Sequence, residues 1–339
     1  MKFDTPHIPP FTPPIWMRPA MVQTILASLK FRKRGSGSME GAAREIILNC
    51  GLDEGTLNHP PRPVRLLGSY SQAQDSRALI IFLHGWEGSQ ESTYVVSSAR
   101  QFFTKGCSVF RLNFRDHGPS HHLNEDIFLA TRFAEVFAAI EQICALEPDC
   151  PVYIAGFSMG GNFALRIARQ TIKTPIENLA HIFSISPVVD PWPAAPLVDQ
   201  GVLISRYFLK KLKKSLQAKQ AAFPHLHDFS QELSMDTVME ISQNIIPKYS
   251  GIDNLEDYFN GYRIEPSDLA ACEVPVSIIM AKDDPIVPAA AIDALTSSSS
   301  CHDIRLDYGG HNGFFQSISG PTWYDDYMGS IILDEKLSG

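Results

Sequence analysis

Eight short runs of apolar or β-branched residues recur along the 339-residue chain, at 44–49, 64–71, 78–83, 107–114, 152–157, 181–186, 276–281 and 303–308. Segments of helical period separate several of them. Tyr94, Val95, Ala99, Phe102 and Phe103 form one stripe, ended by Gly106, and Leu129, Phe133, Val136, Phe137, Ile140 and Ile143 form another. Strand and helix therefore alternate, which predicts an α/β fold with a mostly parallel eight-stranded sheet and helices on both faces. With 44% hydrophobic and 19% charged residues, the chain can bury a core of that size.

The rhythm stops between about 190 and 269, where no strand signal appears but "SRYFLKKLKKSLQAKQAAF" reads as a helix. This span predicts a helical cap or lid (190–269) inserted between core strands of a single domain, 1–339, with residues 1–43 as an N-terminal arm. Such insertions gather at the carboxyl ends of strands, where ligands bind. Tyr207, Phe208 and Leu212 are the expected apolar face of its helix. Lys210, Lys211, Lys213 and Lys214 are expected to be a solvated face, with attraction of an anionic substrate as the alternative. "GSGSMEG" (35–41) reads as hinge-like, and "TSSSS" (296–300) is a low-complexity tract.

Composition narrows the partners. The net charge of −8, from 37 acidic and 29 basic residues, leaves no extended basic face for a phosphate backbone, so no nucleic acid is expected. Ala78–Leu83, the longest apolar run, is far short of the roughly 20 residues that cross a bilayer, so no transmembrane segment is expected. Prolines interrupt "MKFDTPHIPPFTPPIW" where a secretory signal needs a continuous apolar stretch, and no Asn-x-Ser/Thr acceptor occurs. A cytoplasmic protein with reduced, buried thiols is expected from this and from six cysteines without CxxC spacing. "WMRPAMVQTILASLKFRKR" should pack on its own domain, with membrane-surface contact as the weaker alternative. His117, His121 and His122 in "DHGPSHH" lack further ligands at matching spacing, so no metal is expected. No cofactor is expected either, because "GSGSMEG" lacks both the Gly-x-Gly-x-x-Gly spacing and a preceding strand.

The chemistry concentrates at "GFSMGGN" (156–162), where a strand-like run leads into Ser158 and the stripe Phe163, Ala164, Ile167 and Ala168 follows it. A serine at such a turn is held in a strained conformation, while Gly156 and Gly160 let strand and helix approach closely. The hydroxyl then stands above the sheet beside the helix N-terminus. A serine hydroxyl is a weak nucleophile and needs a base and a carboxylate. "LDYGGHNGF" (306–314) supplies His311 after the last strand, with glycines that permit a turn over the serine.

Three carboxylates could serve that histidine: Asp190, Asp283 and Asp284. Asp190 precedes a proline and can simply start a turn. Between the neighbours, Asp284 has the better surroundings, directly before "PIVP". For a developing oxyanion, the backbone N–H of Trp86 in "LHGWEGSQ" and that of Met159 after the serine are the expected donors. His84 is expected to brace the loop rather than to act as a second base.

"LHGWEGS", "NFRDHGPS", "GFSMGGN", "DDPIVP" and "GGHNGF", in that order over most of 44–325, resemble the α/β-hydrolase superfamily. More narrowly, "FTPPIWMRPAMVQTIL", "DDP" and "GGHNGF" are similar to the YheT-like subgroup of serine esterases, a likeness that does not extend through "NFRDHG". The resemblance implies Ser158, Asp284 and His311 as a triad and a carboxylic ester hydrolase acting on small-molecule or lipid esters, with short acyl chains as the first expectation. Thioesterase or (lyso)phospholipase activity is the nearest alternative, and a hydrolase-like ligand-binding protein without turnover is a third.

Overall fold

The computed structural model describes residues 8–53, 60–295 and 299–333; the first residues of the N-terminal arm and most of the "TSSSS" tract lie outside them. The strands are β1 (Ala43–Leu52), β2 (Pro63–Ser71), β3 (Leu79–Leu83), β4 (Ser108–Asn113), β5 (Val152–Phe157), β6 (Leu179–Ile185), β7 (Val276–Ala281) and β8 (Cys301–Leu306). They form one sheet in the order β1-β2-β4-β3-β5-β6-β7-β8. β2 pairs antiparallel with both β1 and β4, and every other pair is parallel. This is the expected α/β-hydrolase fold.

Every residue of β3, β4, β5 and β7 is buried, as parallel strands covered on both faces require. Alternation divides them between two cores. Leu79, Ile81 and Leu83 pack with helices Phe133–Cys144 and Met159–Thr171, while Ile80 and Phe82 pack with Thr93–Phe103 and Trp323–Ile332. Truncating one such side chain, for example Phe82→Ala, removes about 3–5 kcal/mol of stability.

Some boundaries differ from the sequence expectation. β8 begins two residues earlier than 303–308 because its register follows β7, with Val276 opposite Cys301. The second helix starts at Phe133, not Leu129. The loop before it is held by side chains from distant segments: Tyr258 Oη accepts from Ala130 N at 2.9 Å, and Arg166 Nη1 donates to Ala130 O at 2.6 Å. "GSGSMEG" is no hinge: Gly37–Gly41 is a short helix whose Met39 is fully buried, with Ser71 Oγ donating to its carbonyl at 2.9 Å.

Between β6 and β7 the chain forms helices only, Pro191–Ala194, Leu197–Gln200, Val202–Ala222, Ser230–Ser234, Val238–Ser250 and Leu255–Asn260. The Val202–Ala222 helix is fastened by buried Lys219, whose Nζ donates to Asp116 Oδ1 at 2.9 Å and Asp126 O at 2.9 Å. The Val238–Ser250 helix opens on a Thr237–Glu240 capping box and ends at Gly251 in the left-handed conformation.

The N-terminal arm packs on the domain through helix Ala20–Ser28. Buried Gln23 donates to Met17 O and Phe315 O and accepts from Phe315 N at 2.8 Å. Cys50, Cys107, Cys144 and Cys150 are free thiols. Among the described residues, no helix is long and apolar enough to cross a membrane.

Candidate active site

β5 ends at Phe157 and the next helix begins at Met159, so Ser158 alone makes the turn, with φ 55° and ψ −115°. A non-glycine residue held there costs on the order of 1–3 kcal/mol, offset by the packing around it. The flanking glycines are required by contact. A Cβ on Gly160 would run into the carbonyl oxygens of Leu83 and His84, and one on Gly156 into the carbonyl of Gly160. The serine is thereby raised at the carboxyl edge of the sheet, at the positive end of a 13-residue helix.

The loop after β3 meets the serine from the other side, where a Cβ on Gly85 would lie 3.2 Å from Ser158 Cβ. It is pinned on both flanks of Trp86. Gly85 N donates to Tyr94 Oη at 2.9 Å, and Glu87 N donates to His117 Nε2 at 3.1 Å. An Nε2 that accepts leaves the proton on Nδ1, which His117 donates to Arg115 O at 2.7 Å. His84 repeats the arrangement, accepting from Phe114 N at 3.2 Å and donating to Gly85 O at 2.7 Å. Burial holds both rings neutral, pushing His84 well below its ordinary range and His117 down to about 4. His84 thus braces the loop. The N–H groups of Trp86 and Met159 have no hydrogen-bond partner among the described residues, so both stay open as donors.

The histidine loop follows β8. His311 Nδ1 lies 2.8 Å from Asp284 Oδ2, and the Asp284 carboxylate is fully buried. Its other oxygen accepts from Ile286 N at 2.8 Å and Val287 N at 2.9 Å, which fixes the orientation of the carboxylate. Asp283 also reaches this loop, but its Oδ1 accepts from Gly310 N at 2.9 Å, one residue before the imidazole. Burial raises the Asp283 carboxyl above its ordinary range. Asp190 stands at the N-cap position of the short Pro191–Ala194 helix without a side-chain capping bond, and pairs with Arg263 at 3.2 Å. Ser158 and His311 line one cavity and are not hydrogen-bonded to each other, a spacing common before substrate binds.

That cavity measures about 970 Å³ and extends from Ser158 under the helices of 191–260 to the N-terminal arm. Its wall is mainly apolar, with Met21, Ile25, Phe208, Ile245 and Ile246 among its residues. Phe208 stacks on Trp86 at 5.5 Å, and Lys211 Nζ donates to Glu87 O at 2.8 Å. Lys211 is therefore not part of a solvated face. Glu87 also lines the cavity, its carboxyl pushed up to about 8 by burial against the opposing pull of Lys211.

Several residues of this site gave no signal in the sequence. Thr24 Oγ1 accepts from His311 N at 2.9 Å across 287 positions, and Gly310 has φ 52° where a Cβ would meet Ala20 O. The glycines of "GGHNGF" hinted at a close approach but not at its partner. Tyr94, which looked like one member of a helical stripe, turns its hydroxyl onto Gly85.

A family model described as alpha/beta hydrolase fold matches residues 78–317. Among curated proteins, the chain is similar to a monoacylglycerol lipase of Saccharomyces cerevisiae, 22% identical over 272 residues that cover 74% of this chain and 58% of that protein. It is 25% identical to the monoacylglycerol lipase ABHD2 of Mus musculus over 231 residues, covering 60% of this chain and 53% of the relative. The chain thus spans little more than half the length of these relatives. Among solved structures, the Pyrococcus furiosus esterase Pf2001 superposes with a TM-score of 0.53 at 16% identity, covering 88% of this chain and 91% of that one. Est1E of Butyrivibrio proteoclasticus with bound ferulic acid gives 0.52 at 16% identity, covering 87% and 100%. The sheet order and the family match over more than half the chain agree: this chain belongs to the alpha/beta hydrolase fold family.

Proposed function

We propose that the chain is a serine hydrolase of carboxylic esters. The observation that carries this reading is the 2.8 Å contact of His311 Nδ1 with buried Asp284, on a loop that shares a cavity with Ser158. His311 Nε2 takes the Ser158 proton, and Ser158 Oγ attacks the acyl carbonyl. The oxyanion forms against the N–H groups of Trp86 and Met159. The imidazolium, held by Asp284, returns its proton to the leaving alkoxide and leaves an acyl-enzyme. Water activated by the same histidine releases the acid.

Residues 190–269 act as the cap over this centre and supply much of its apolar wall. A cavity of about 970 Å³ is at the upper end of sites for drug-sized ligands, and this supports a lipid ester over the short acyl esters first expected. The relatives named monoacylglycerol lipase support the same direction. Membership of the YheT-like subgroup rests on the quoted motifs. The free thiols Cys50, Cys107, Cys144 and Cys150 support work in a reducing compartment such as the cytoplasm.

A series of p-nitrophenyl esters from acetyl to palmitoyl tests the reading. Turnover should rise beyond the shortest chains and vanish in Ser158→Ala. Activity of Ser158→Ala near wild type would overturn it.

A further inference from the structure

The helix Val202–Ala222 carries six basic residues and no acidic one, in a chain whose net charge is −8. Two of the six are consumed by the fold: Lys211 on the Glu87 carbonyl and Lys219 on Asp116. Arg206, Lys210, Lys213 and Lys214 are spaced three and four apart and so share one face, where they border a shallow surface groove. Among the described residues, none of these four has a carboxylate within ion-pair range. The N-terminal end of the same helix exposes Val202 (67%), Leu203 (66%) and Tyr207 (45%) to solvent.

Leu203 and Tyr207 also line the cavity that holds Ser158. Ile25, Leu29 and Lys30 of the arm, all exposed, line the same cavity. Two separate segments therefore present exposed apolar side chains, with unpaired cations beside them, along the wall of one cavity. Large exposed apolar groups are a cost for a protein that meets only water. A helix with apolar side chains at one end and a basic face beside them fits a surface whose anionic headgroups lie over an acyl interior.

We propose that this rim docks the protein on an anionic lipid surface, with Val202, Leu203, Tyr207, Ile25 and Leu29 at the acyl boundary and the four cations among the headgroups. The cavity mouth then opens onto the lipid. The proposal concerns the rim alone and holds whether or not Ser158 is a nucleophile.

Flotation of the full chain with phosphatidylcholine vesicles, with and without phosphatidylserine, tests it. Binding should require the anionic lipid and weaken with salt, since each cation near such a surface adds roughly fivefold to partitioning. Combined charge reversal of Arg206, Lys210, Lys213 and Lys214 to Glu should lower partitioning at least about tenfold, with hydrolysis of a water-soluble ester unchanged. Ser158→Ala should float like wild type, so loss of the hydrolase reading would leave this outcome readable. Equal binding to neutral and anionic vesicles, no binding to either, or undiminished binding after charge reversal would overturn the proposal. A pair of lysines reversed alone, Lys210→Glu with Lys214→Glu, gives an intermediate loss if the four-residue variant does not fold.

Discussion

Replacing Ser158 separates backbone strain from chemistry. At φ 55° and ψ −115° any residue with a Cβ pays the strain, on the order of 1–3 kcal/mol, whereas glycine does not. Glycine loses about 0.5–1 kcal/mol through its greater freedom when unfolded. Ser158→Gly should therefore be more stable than Ser158→Ala by about 0.5–2 kcal/mol, the reverse of the usual order beside a helix. Ser158→Ala itself should match wild type closely, because the hydroxyl makes no hydrogen bond among the described residues. Unfolding entropy of about 2.1 cal/mol/K per residue over 339 residues gives roughly 0.7 kcal/mol per degree. The expected separation is thus about 1–3 °C in the calorimetric midpoint, with both variants inactive. A midpoint for Ser158→Gly below that of Ser158→Ala would show that the turn is not strained as described.

Three carboxylates can be ranked by kcat: Asp284→Asn should cost about three to four orders of magnitude through the lost partner of His311, whereas Asp283→Asn, which keeps an acceptor for Gly310 N, and Asp190→Asn should cost little. A larger loss from either of the latter would reverse the assignment. Lys211→Met removes the donor to the Glu87 carbonyl and should lower kcat roughly tenfold with little change in KM, because it loosens the Trp86 donor rather than the cavity wall; Lys211→Arg should restore part of it, and a change confined to KM would contradict this. Glu87 binds its proton more tightly folded than unfolded, about 8 against 4.5, so wild type should lose stability relative to Glu87→Gln as pH rises between those values. Thermal midpoints measured from pH 4 to 9 should be alike at the acid end and favour Glu87→Gln at the alkaline end; parallel curves would refute it.

The sheet and the serine turn were legible because their signals are local. Val152–Phe157 is a continuous apolar run, and "GFSMGGN" places two glycines where two backbones must touch, so sequence spacing carries the geometry. Asp284 could be preferred over Asp283 by its surroundings, but which oxygen meets which loop atom depends on β7 and β8 lying side by side. The N-terminal arm was not legible as part of the site. Gln23 and Thr24 reach Phe315 and His311 across almost the whole chain, and a helix of nine residues looks the same whether it covers a surface or props a loop. Lys211 was hidden for a related reason: in a run of four lysines, spacing alone does not say which one turns inward.

Everything proposed for this site depends on Ser158 being a nucleophile activated by His311. Incubation of the purified chain with a fluorophosphonate, followed by intact-mass measurement and peptide mapping, tests it directly. One adduct per chain is expected, located on Ser158, formed far more slowly in Asp284→Asn and absent in Ser158→Ala. No adduct on wild type, or an adduct mapped to another residue, would contradict it.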